Sequence, residues 1–385
     1  MRVLVCPQEF KGSLTAMQAT RAITAGVRRA APDMEVVERP MADGGPGIVA
    51  IVCAATGGRL VELRATGPLG TPLLARFGLV DRPGAPPLAV IEAAAAAGLV
   101  LLPADRRDPS NASSTGVGEQ IGQALAAGAR EIIVGVGGTA TNDGGAGAAQ
   151  ALGYRLLDGA GAPLPPGARH LERLDRIDAS GVEQLLRGAR VRVAVDVRNR
   201  LLGLEGATAV YGPQKGVTAS TAPMLERALE RWARVVERDL GVAIASLDGG
   251  GAGGGIAAGL VAAARAGGAQ ATIEGGAALV AEAVQLEAAI ATADLVITGE
   301  GRLDAQTAFG KTVAHIATLA TAAGWPCLAV AGSIEAVPAS IADAEAATPP
   351  GMAVEQAMRE AEALVGAAAE RLVARWLGRS ELGQR

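Results

Sequence analysis

Glycine-dense turns that directly follow short aliphatic runs restrict the fold of this 385-residue chain more than any other feature. The run "EIIV" continues into "GVGGTATNDGGAG" at residues 135–147, and "DLVIT" continues into "GEGRLD" at residues 299–304. A short buried strand, a glycine turn and then a helix are typical of a parallel sheet with ligand loops at the carboxyl ends of its strands. The 53 glycines follow no triplet period and alternate with apolar runs, which excludes collagen and argues against disorder.

The pattern changes along the chain and predicts two α/β domains. Residues 1–70 together with 285–385 are predicted to form a Rossmann-like parallel-sheet domain, because strand-like runs such as "RVLVCP" and "PCLAVAG" alternate there with helical periodicity. Residues 71–284 are predicted to form a second α/β domain inserted in the first, with antiparallel strands near its start. We expect the active site in the cleft between the two domains. The C-terminal stretch from residue 354 is predicted to be a single amphipathic helix.

Composition excludes several classes of function. The formal net charge is −4 and no basic run occurs, so nucleic acid is not an expected partner. The longest apolar stretch, residues 88–102, is interrupted by Glu92 and is too short to span a bilayer. The three cysteines share no metal-ligand spacing and are expected to be buried, reduced thiols. We therefore expect a cytoplasmic protein that binds small molecules, as a monomer or a homodimer.

The segment 135–147 carries the strongest local signal for a ligand. Successive backbone N–H groups in such a loop form a cradle for an anion, and neighbouring hydroxyl groups add donors. A second glycine cluster, "DGGGAGGGIAAG" at 248–259, is either another phosphate loop or a close packing site for a helix. The candidate phosphate- or substrate-binding residues of the two segments are Gly137, Gly138, Thr139, Thr141, Asn142, Gly253 and Gly254.

The same segment also fits a dinucleotide-binding fingerprint. Gly135, Gly137 and Ala140 match G-x-G-x-x-A, and Asp158 follows near the distance expected for a contact with ribose. A nicotinamide-dependent oxidoreductase is therefore an alternative function.

Several charged residues lie beside turns where a ligand could bind. "EFKGS" places Lys11 and Ser13 just beyond the first strand, and "MADGGPG" places Asp43 before two glycines. A carboxylate at the end of the aliphatic strand "VRVAVDV" is costly unless it is paired, liganded or solvated, which makes Asp196 a candidate. "YGPQKG" adds Lys215 in a turn.

The stretch "GEGRLDAQTAFGKT" at 299–312 ends like an ATP-binding loop. Its first glycine is missing, because Ala305 stands where a Walker motif requires glycine. The crowded charges instead suggest a site where acids hold Mg²⁺ and cations neutralise a transferred phosphoryl group. The residues concerned are Glu300, Arg302, Asp304 and Lys311.

Together these stretches resemble the bacterial glycerate kinase family. The resemblance extends from "FKGSLTA" through "ADGG", "STGVGEQI", "GVGGTATNDGGAG", "GPQKG" and "AGGGIAAGL" to "DLVITGEGRLDAQTAFGKT" and "AVAGS", and so covers nearly the whole chain. It implies a Rossmann-like domain with a second α/β domain inserted in it, ATP and Mg²⁺ as cofactors, and D-glycerate as the acceptor with 2-phosphoglycerate as the product.

With a kinase in view, each candidate can be given a chemical role. Phosphates would be held by Lys11 and the two glycine clusters, and Mg²⁺ would have Asp196, Glu300 and Asp304 as candidate ligands. Asp43 and Asp143 are the candidates for deprotonating the acceptor hydroxyl. Charge would be neutralised by the cations Lys215, Arg302 and Lys311.

The chain departs from the family pattern at four positions, which are Gln8, Glu9, Pro46 and Arg198. These departures concern the acceptor substrate more than the phosphoryl donor. They leave a further alternative open, namely a catalytically silent regulator that binds a hydroxy acid or a nucleotide.

Overall fold

The computed structural model describes residues 1–304 and 312–382. Within these residues the strands are β1 Arg2–Val5, β2 Glu35–Glu38, β3 Arg59–Thr66, β4 Pro72–Arg82, β5 Ala85–Glu92, β6 Glu131–Gly135, β7 Arg155–Leu157, β8 Arg176–Asp178, β9 Arg190–Ala194, β10 Gln270–Glu274, β11 Leu295–Leu303, β12 Cys327–Ile334 and β13 Asp343–Ala346. The helices are α1 Ala16–Ala30, α2 Ile48–Thr56, α3 Ala94–Ala97, α4 Thr115–Ala126, α5 Ala146–Ala151, α6 Glu183–Leu186, α7 Ala222–Leu240, α8 Ile256–Ala266, α9 Gly276–Ala283, α10 Leu286–Ala291, α11 Thr312–Ala322, α12 Val354–Arg359 and α13 Ala361–Leu382. The chain is therefore an α/β protein, as predicted.

The chain divides into two compact units. The first unit comprises Met1–Asp43 and Val280–Arg385, and the second comprises Gly44–Leu279. The limit at residue 280 lies close to the predicted boundary near 285, whereas the limit at residue 43 differs from the predicted boundary near 70. A division at residue 70 would separate β3 from β4, whose antiparallel pairing runs from Arg59 opposite Leu79 to Thr66 opposite Pro72. The hydrogen bonds of that hairpin keep both strands in the second unit.

The first unit is built on a five-stranded parallel sheet. Its strand order is β13-β12-β11-β1-β2, and every neighbouring pair is parallel. The central strands read as nearly continuous aliphatic runs because both of their faces are buried. Helices α1 and α13 pack together against this sheet. The predicted single C-terminal helix is in fact two, since Glu360 separates α12 from α13.

The second unit is built on a six-stranded mixed sheet with the order β10-β9-β6-β5-β4-β3. Strands β10, β9, β6 and β5 are parallel, and β5-β4-β3 continue as an antiparallel meander, as the alternating segments predicted. Its core consists mainly of Val, Leu, Ile and Ala, with Phe77 and Trp232 among the few large aromatic residues. The carboxyl ends of β6 and β9 carry the predicted ligand segments.

Two expectations from composition can be compared with the structure. The three cysteines are free and buried, as predicted. Within the described residues, none of the helices is both long and apolar enough to cross a bilayer.

Candidate functional site

Two glycine loops of the second unit contact each other through their backbones. Loop A (residues 136–145) joins β6 to α5, and loop B (residues 248–255) leads into α8. The amide of Gly144 donates to the carbonyl of Gly254 at 3.0 Å. Gly254 has φ +71°, and a Cβ at this position would lie 1.9 Å from the Thr141 carbonyl oxygen. Loop B therefore needs glycine here both for its left-handed backbone and for the close approach of loop A.

Asp143 organises loop A from the inside. Its side chain is fully buried, and Oδ2 accepts hydrogen bonds from the amide and hydroxyl of Ser114, both at 2.8 Å. The same oxygen accepts from Ser113 Oγ at 3.4 Å and from the Gly147 amide at 3.2 Å. Oδ1 accepts from the Gly145 amide at 3.1 Å. A carboxylate that accepts five hydrogen bonds and is shielded from solvent is suited to holding a loop in one conformation. This arrangement favours a structural role for Asp143 over the predicted role as a general base.

Lys215 joins the two loops. It lies in the short 3₁₀ turn Pro213–Lys215, and only 2% of its surface is exposed. Its Nζ donates to the Thr141 carbonyl at 2.7 Å, and a Cβ on Gly254 would lie 2.8 Å from the same nitrogen. Burial lowers the pKa of Lys215 to about 7, and the negative charge of Asp143 partly opposes this shift. The amino group of Lys215 therefore contacts the loops and is not exposed on the surface.

Two buried polar atoms of loop A have no hydrogen-bond partner among the described residues. Asn142 is fully buried and donates through Nδ2 to the hydroxyl of Thr208 at 3.0 Å, while its Oδ1 is unpaired. Thr139 is 3% exposed, and its Oγ1 is also unpaired. A buried polar atom without a partner costs about 1–3 kcal/mol, so such atoms point to a missing ligand or water.

The remaining predicted residues of the two loops lie beside these atoms. Thr141 is buried, and its hydroxyl donates to the Gly253 carbonyl at 3.4 Å. Gly138 is exposed at the turn after β6. The neighbouring Gly137 packs closely on Gly45, since a Cβ on Gly137 would lie 3.0 Å from the Cα of Gly45. All seven predicted loop residues therefore belong to one contiguous part of the second unit.

Asp196 follows β9 and is exposed. Its Oδ1 accepts a hydrogen bond from the Gly276 amide at 2.9 Å, where α9 begins. A carboxylate at a helix N-terminus is favourable in its own right, so Asp196 has a structural role beside the predicted metal-binding one. The segment after it contacts loop B, because the Gly251 amide donates to the Asn199 carbonyl at 2.9 Å.

In the first unit, the predicted lysine loop lies against the glycine turn of β11. The Gln8 amide donates to the Gly299 carbonyl at 2.8 Å, and a Cβ on Gly301 would lie 3.2 Å from the backbone nitrogen of Lys11. The side chain of Lys11 is exposed. Two segments almost 300 residues apart in sequence are thereby neighbours.

Ser13 and Asp43 are placed differently within the first unit. Ser13 Oγ donates to the Phe10 carbonyl at 2.9 Å, so this hydroxyl stabilises its own turn. Asp43 is exposed. Burial raises the pKa of Glu9, the charge of Asp43 raises it further, and Lys11 lowers it. Glu9, Lys11 and Asp43 therefore influence one another electrostatically.

The charged turn of β11 is described up to Asp304. Glu300 is 8% exposed, whereas the side chain of Arg302 is exposed and pairs with Glu335 at 2.5 Å and with Asp304 at 3.7 Å. Lys311 lies outside the described residues. Within the described part of the chain, no three His, Cys, Asp or Glu side chains are grouped to hold a metal ion. Mg²⁺ in kinases is held by one or two carboxylates together with phosphates and water, so the carboxylates present are compatible with it.

Sequence reasoning missed several partners of the predicted residues. Ser113 and Ser114 hold Asp143, and Glu335 pairs with Arg302, yet none of the three was singled out. The only available signal was the "STGVGEQI" motif, which begins at Ser114 and was noted for its resemblance without a role.

The dinucleotide interpretation is not supported. In that fingerprint a helix starts within the glycine motif, but α5 begins only at Ala146. Asp158 is already occupied, because its Oδ1 accepts the amides of Ala160 and Ala162 and its Oδ2 pairs with Arg173 at 2.6 Å.

Comparison with known proteins identifies the family. Residues 3–377 match the model of the glycerate kinase family. A glycerate kinase of Bacillus subtilis (strain 168) is 45% identical over 334 residues, which cover 87% of this chain and 85% of the relative. A glycerate 2-kinase of Escherichia coli (strain K12) is 42% identical over 334 residues, covering 87% and 86%. A crystal structure from Salmonella typhimurium LT2, described as a glycerate kinase 2, superimposes with a TM-score of 0.87 at 41% identity and covers 99% of both chains. The two alternatives, an oxidoreductase and a silent regulator, find no support in these relatives, and the chain belongs to the glycerate kinase family.

Proposed function

We propose that this protein transfers a phosphoryl group from ATP to D-glycerate and releases 2-phospho-D-glycerate. The observation that carries the proposal is the similarity to glycerate kinases along almost the whole chain. The relative from Escherichia coli is named a glycerate 2-kinase, which supports transfer to the 2-hydroxyl group.

Loops A and B are the proposed anion-binding part of the enzyme. The unpaired Oγ1 of Thr139 and the unpaired amide atom of Asn142 would contact a polar group of a substrate, and the amides of Gly137 and Gly138 are candidate donors to phosphate. In this proposal Asp143 and Lys215 do not touch substrate. They hold loop A and loop B in the conformation that binds it.

Asp43 is the proposed general base. It is exposed, whereas the other candidate, Asp143, is buried and accepts five hydrogen bonds. A base must reach the proton of the acceptor hydroxyl, and of the two carboxylates Asp43 is the one exposed to solvent.

Glu300 and Asp304 of the β11 turn are proposed as ligands of Mg²⁺, and Asp196 of the second unit remains a separate candidate ligand. When bound, the ion supplies positive charge at the phosphates of ATP. The cationic side chains of Lys11, Arg302 and Lys311 are proposed to neutralise the charge that develops on the phosphoryl group.

The test is a phosphoryl-transfer assay with the full-length chain, ATP and MgCl₂. ADP formation is measured with D-glycerate, L-glycerate, lactate and no acceptor. We expect release of ADP that depends on D-glycerate and stops when EDTA removes the divalent cation. Equal ADP formation with and without D-glycerate would contradict the proposal.

A further inference from the structure

A cleft of about 450 Å³ follows β9 in the second unit and has no role in the proposal above. It is lined by Arg198, Asn199, Arg200, Leu202 and Glu205. Binding sites for molecules the size of a nucleotide usually measure about 300–1,000 Å³. A three-carbon hydroxy acid would fill only a small part of this volume.

The wall of the cleft is held in place by Asn199. Its Nδ2 donates to the Glu205 carbonyl at 2.8 Å, and its Oδ1 accepts the hydroxyl of Tyr211 at 2.6 Å. Both ends of the amide are therefore used to hold the loop 199–211 in one shape. A preformed loop loses less conformational entropy when a ligand binds.

The charged groups of the cleft differ in their partners. Arg200 pairs with Asp248 at 3.1 Å. Within residues 1–304 and 312–382, neither the guanidinium of Arg198 nor the carboxylate of Glu205 has an ion pair or a side-chain hydrogen bond. Arg198 is thus available to an oxyanion and Glu205 to a hydroxyl donor, and Leu202 adds an apolar contact.

The wall of the cleft contacts loop B through its backbone. The Gly251 amide of loop B donates to the Asn199 carbonyl, and loop B in turn contacts loop A at Gly144. A ligand in the cleft would therefore lie next to the backbone that we propose as a phosphate cradle.

We infer that this cleft binds the nucleoside end of the phosphoryl donor, with Glu205 accepting the ribose hydroxyls and Arg198 pairing with a phosphate oxygen. The inference rests on the proposed function. It assigns the site to ATP and not to glycerate, and so departs from the expectation that the residue at position 198 concerns the acceptor substrate. The size of the cleft favours the larger substrate, because an acid that accepts hydroxyl groups and a cation that pairs with an oxyanion would suit either one.

Direct binding to the full-length chain tests the inference without requiring turnover. Isothermal titration calorimetry is performed with ATP and, separately, with D-glycerate, on the wild type, Arg198→Glu and the control Arg234→Glu. Arg234 is an exposed residue of α7 in the same unit, so the change in net charge is identical. We expect Arg198→Glu to weaken ATP binding about tenfold or more, while the control and the glycerate affinities change less than about twofold.

The hydroxyl contact is tested with 2′,3′-dideoxy-ATP. The wild type should bind this analogue more weakly than ATP, and Glu205→Ala should bind the two nucleotides about equally. Unchanged ATP affinity in Arg198→Glu, or a loss of glycerate affinity in its place, would overturn the inference. If the variants and the analogue change ATP binding as predicted but the wild type does not phosphorylate glycerate, the proposed function would be contradicted and the assignment of the cleft would still be supported.

Discussion

The substitution Asp143→Asn tests whether the buried carboxylate holds loop A. An amide can accept at only one of its two terminal atoms. If the new oxygen takes the place of Oδ2, four hydrogen bonds are kept, and the NH₂ group faces the Gly145 amide without a partner. The substitution also removes the negative charge that partly supports the charged form of Lys215.

The magnitude follows from these losses. A hydrogen bond to a charged group contributes about 1.5–3 kcal/mol, and a buried donor that is left without a partner costs about 1–3 kcal/mol more. We therefore expect Asp143→Asn to lower the free energy of unfolding by about 3–5 kcal/mol, a large fraction of the roughly 5–15 kcal/mol typical of folded proteins. Kinase activity should fall with it, because loop A would lose its shape.

Urea unfolding followed by tryptophan fluorescence suits this measurement. Trp232 donates from Nε1 to the Gly144 carbonyl at 2.9 Å, so its share of the emission reports on loop A, whereas Trp325 and Trp376 belong to the first unit. The control is Asp81→Asn, because Asp81 is an exposed residue of β4 in the same unit. If Asp143→Asn unfolds within about 1 kcal/mol of the wild type, the organising role of Asp143 is refuted.

Three further predictions concern single residues. The pKa of Lys215 is about 7 in the folded protein and about 10.5 in the unfolded chain, so the unfolded chain binds more protons between these two pH values. The free energy of unfolding should therefore rise with pH in this range, by up to about 1.4 kcal/mol per pH unit. Urea unfolding at pH 7, 8 and 9 should show this rise in the wild type, and the rise should be smaller in Lys215→Met, which has no group to titrate. Equal dependence of the unfolding free energy on pH in the two proteins would contradict the prediction. Gly254→Ala should destabilise by about 2 kcal/mol or more in the same assay because Cβ meets the Thr141 carbonyl, whereas Gly122→Ala in α4, where nothing lies within 4 Å, should be neutral or stabilising. Asp43→Asn should lower kcat about 100-fold or more, and full turnover would remove Asp43 from the mechanism.

The sequence predicted those parts of the fold that depend on neighbouring residues. Aliphatic runs such as the one at β11 read as buried strands because both faces of a parallel sheet are covered. The glycines of loop A predicted a turn with ligand-binding capacity because their backbone conformations are open to few other residues.

What could not be predicted depends on contacts between distant segments. The limit of the first unit falls at residue 43 because α2 packs against β4 and β5, and no local pattern reveals that packing. The burial of Asp143 depends on Ser113 and Ser114, about thirty residues earlier in the chain. Likewise, the turn sequence predicted that Lys215 neutralises charge on a substrate, and only its position between two loops makes it a buried residue.

Phosphorus NMR of the reaction mixture tests the central claim most directly. The full-length chain is incubated with ATP, MgCl₂ and D-glycerate, and the spectrum is recorded without proton decoupling. The account predicts a new phosphomonoester signal split into a doublet by the single hydrogen on C2. A triplet from the C3 methylene group would contradict the proposed position, and the absence of any new phosphomonoester signal would contradict the proposed function.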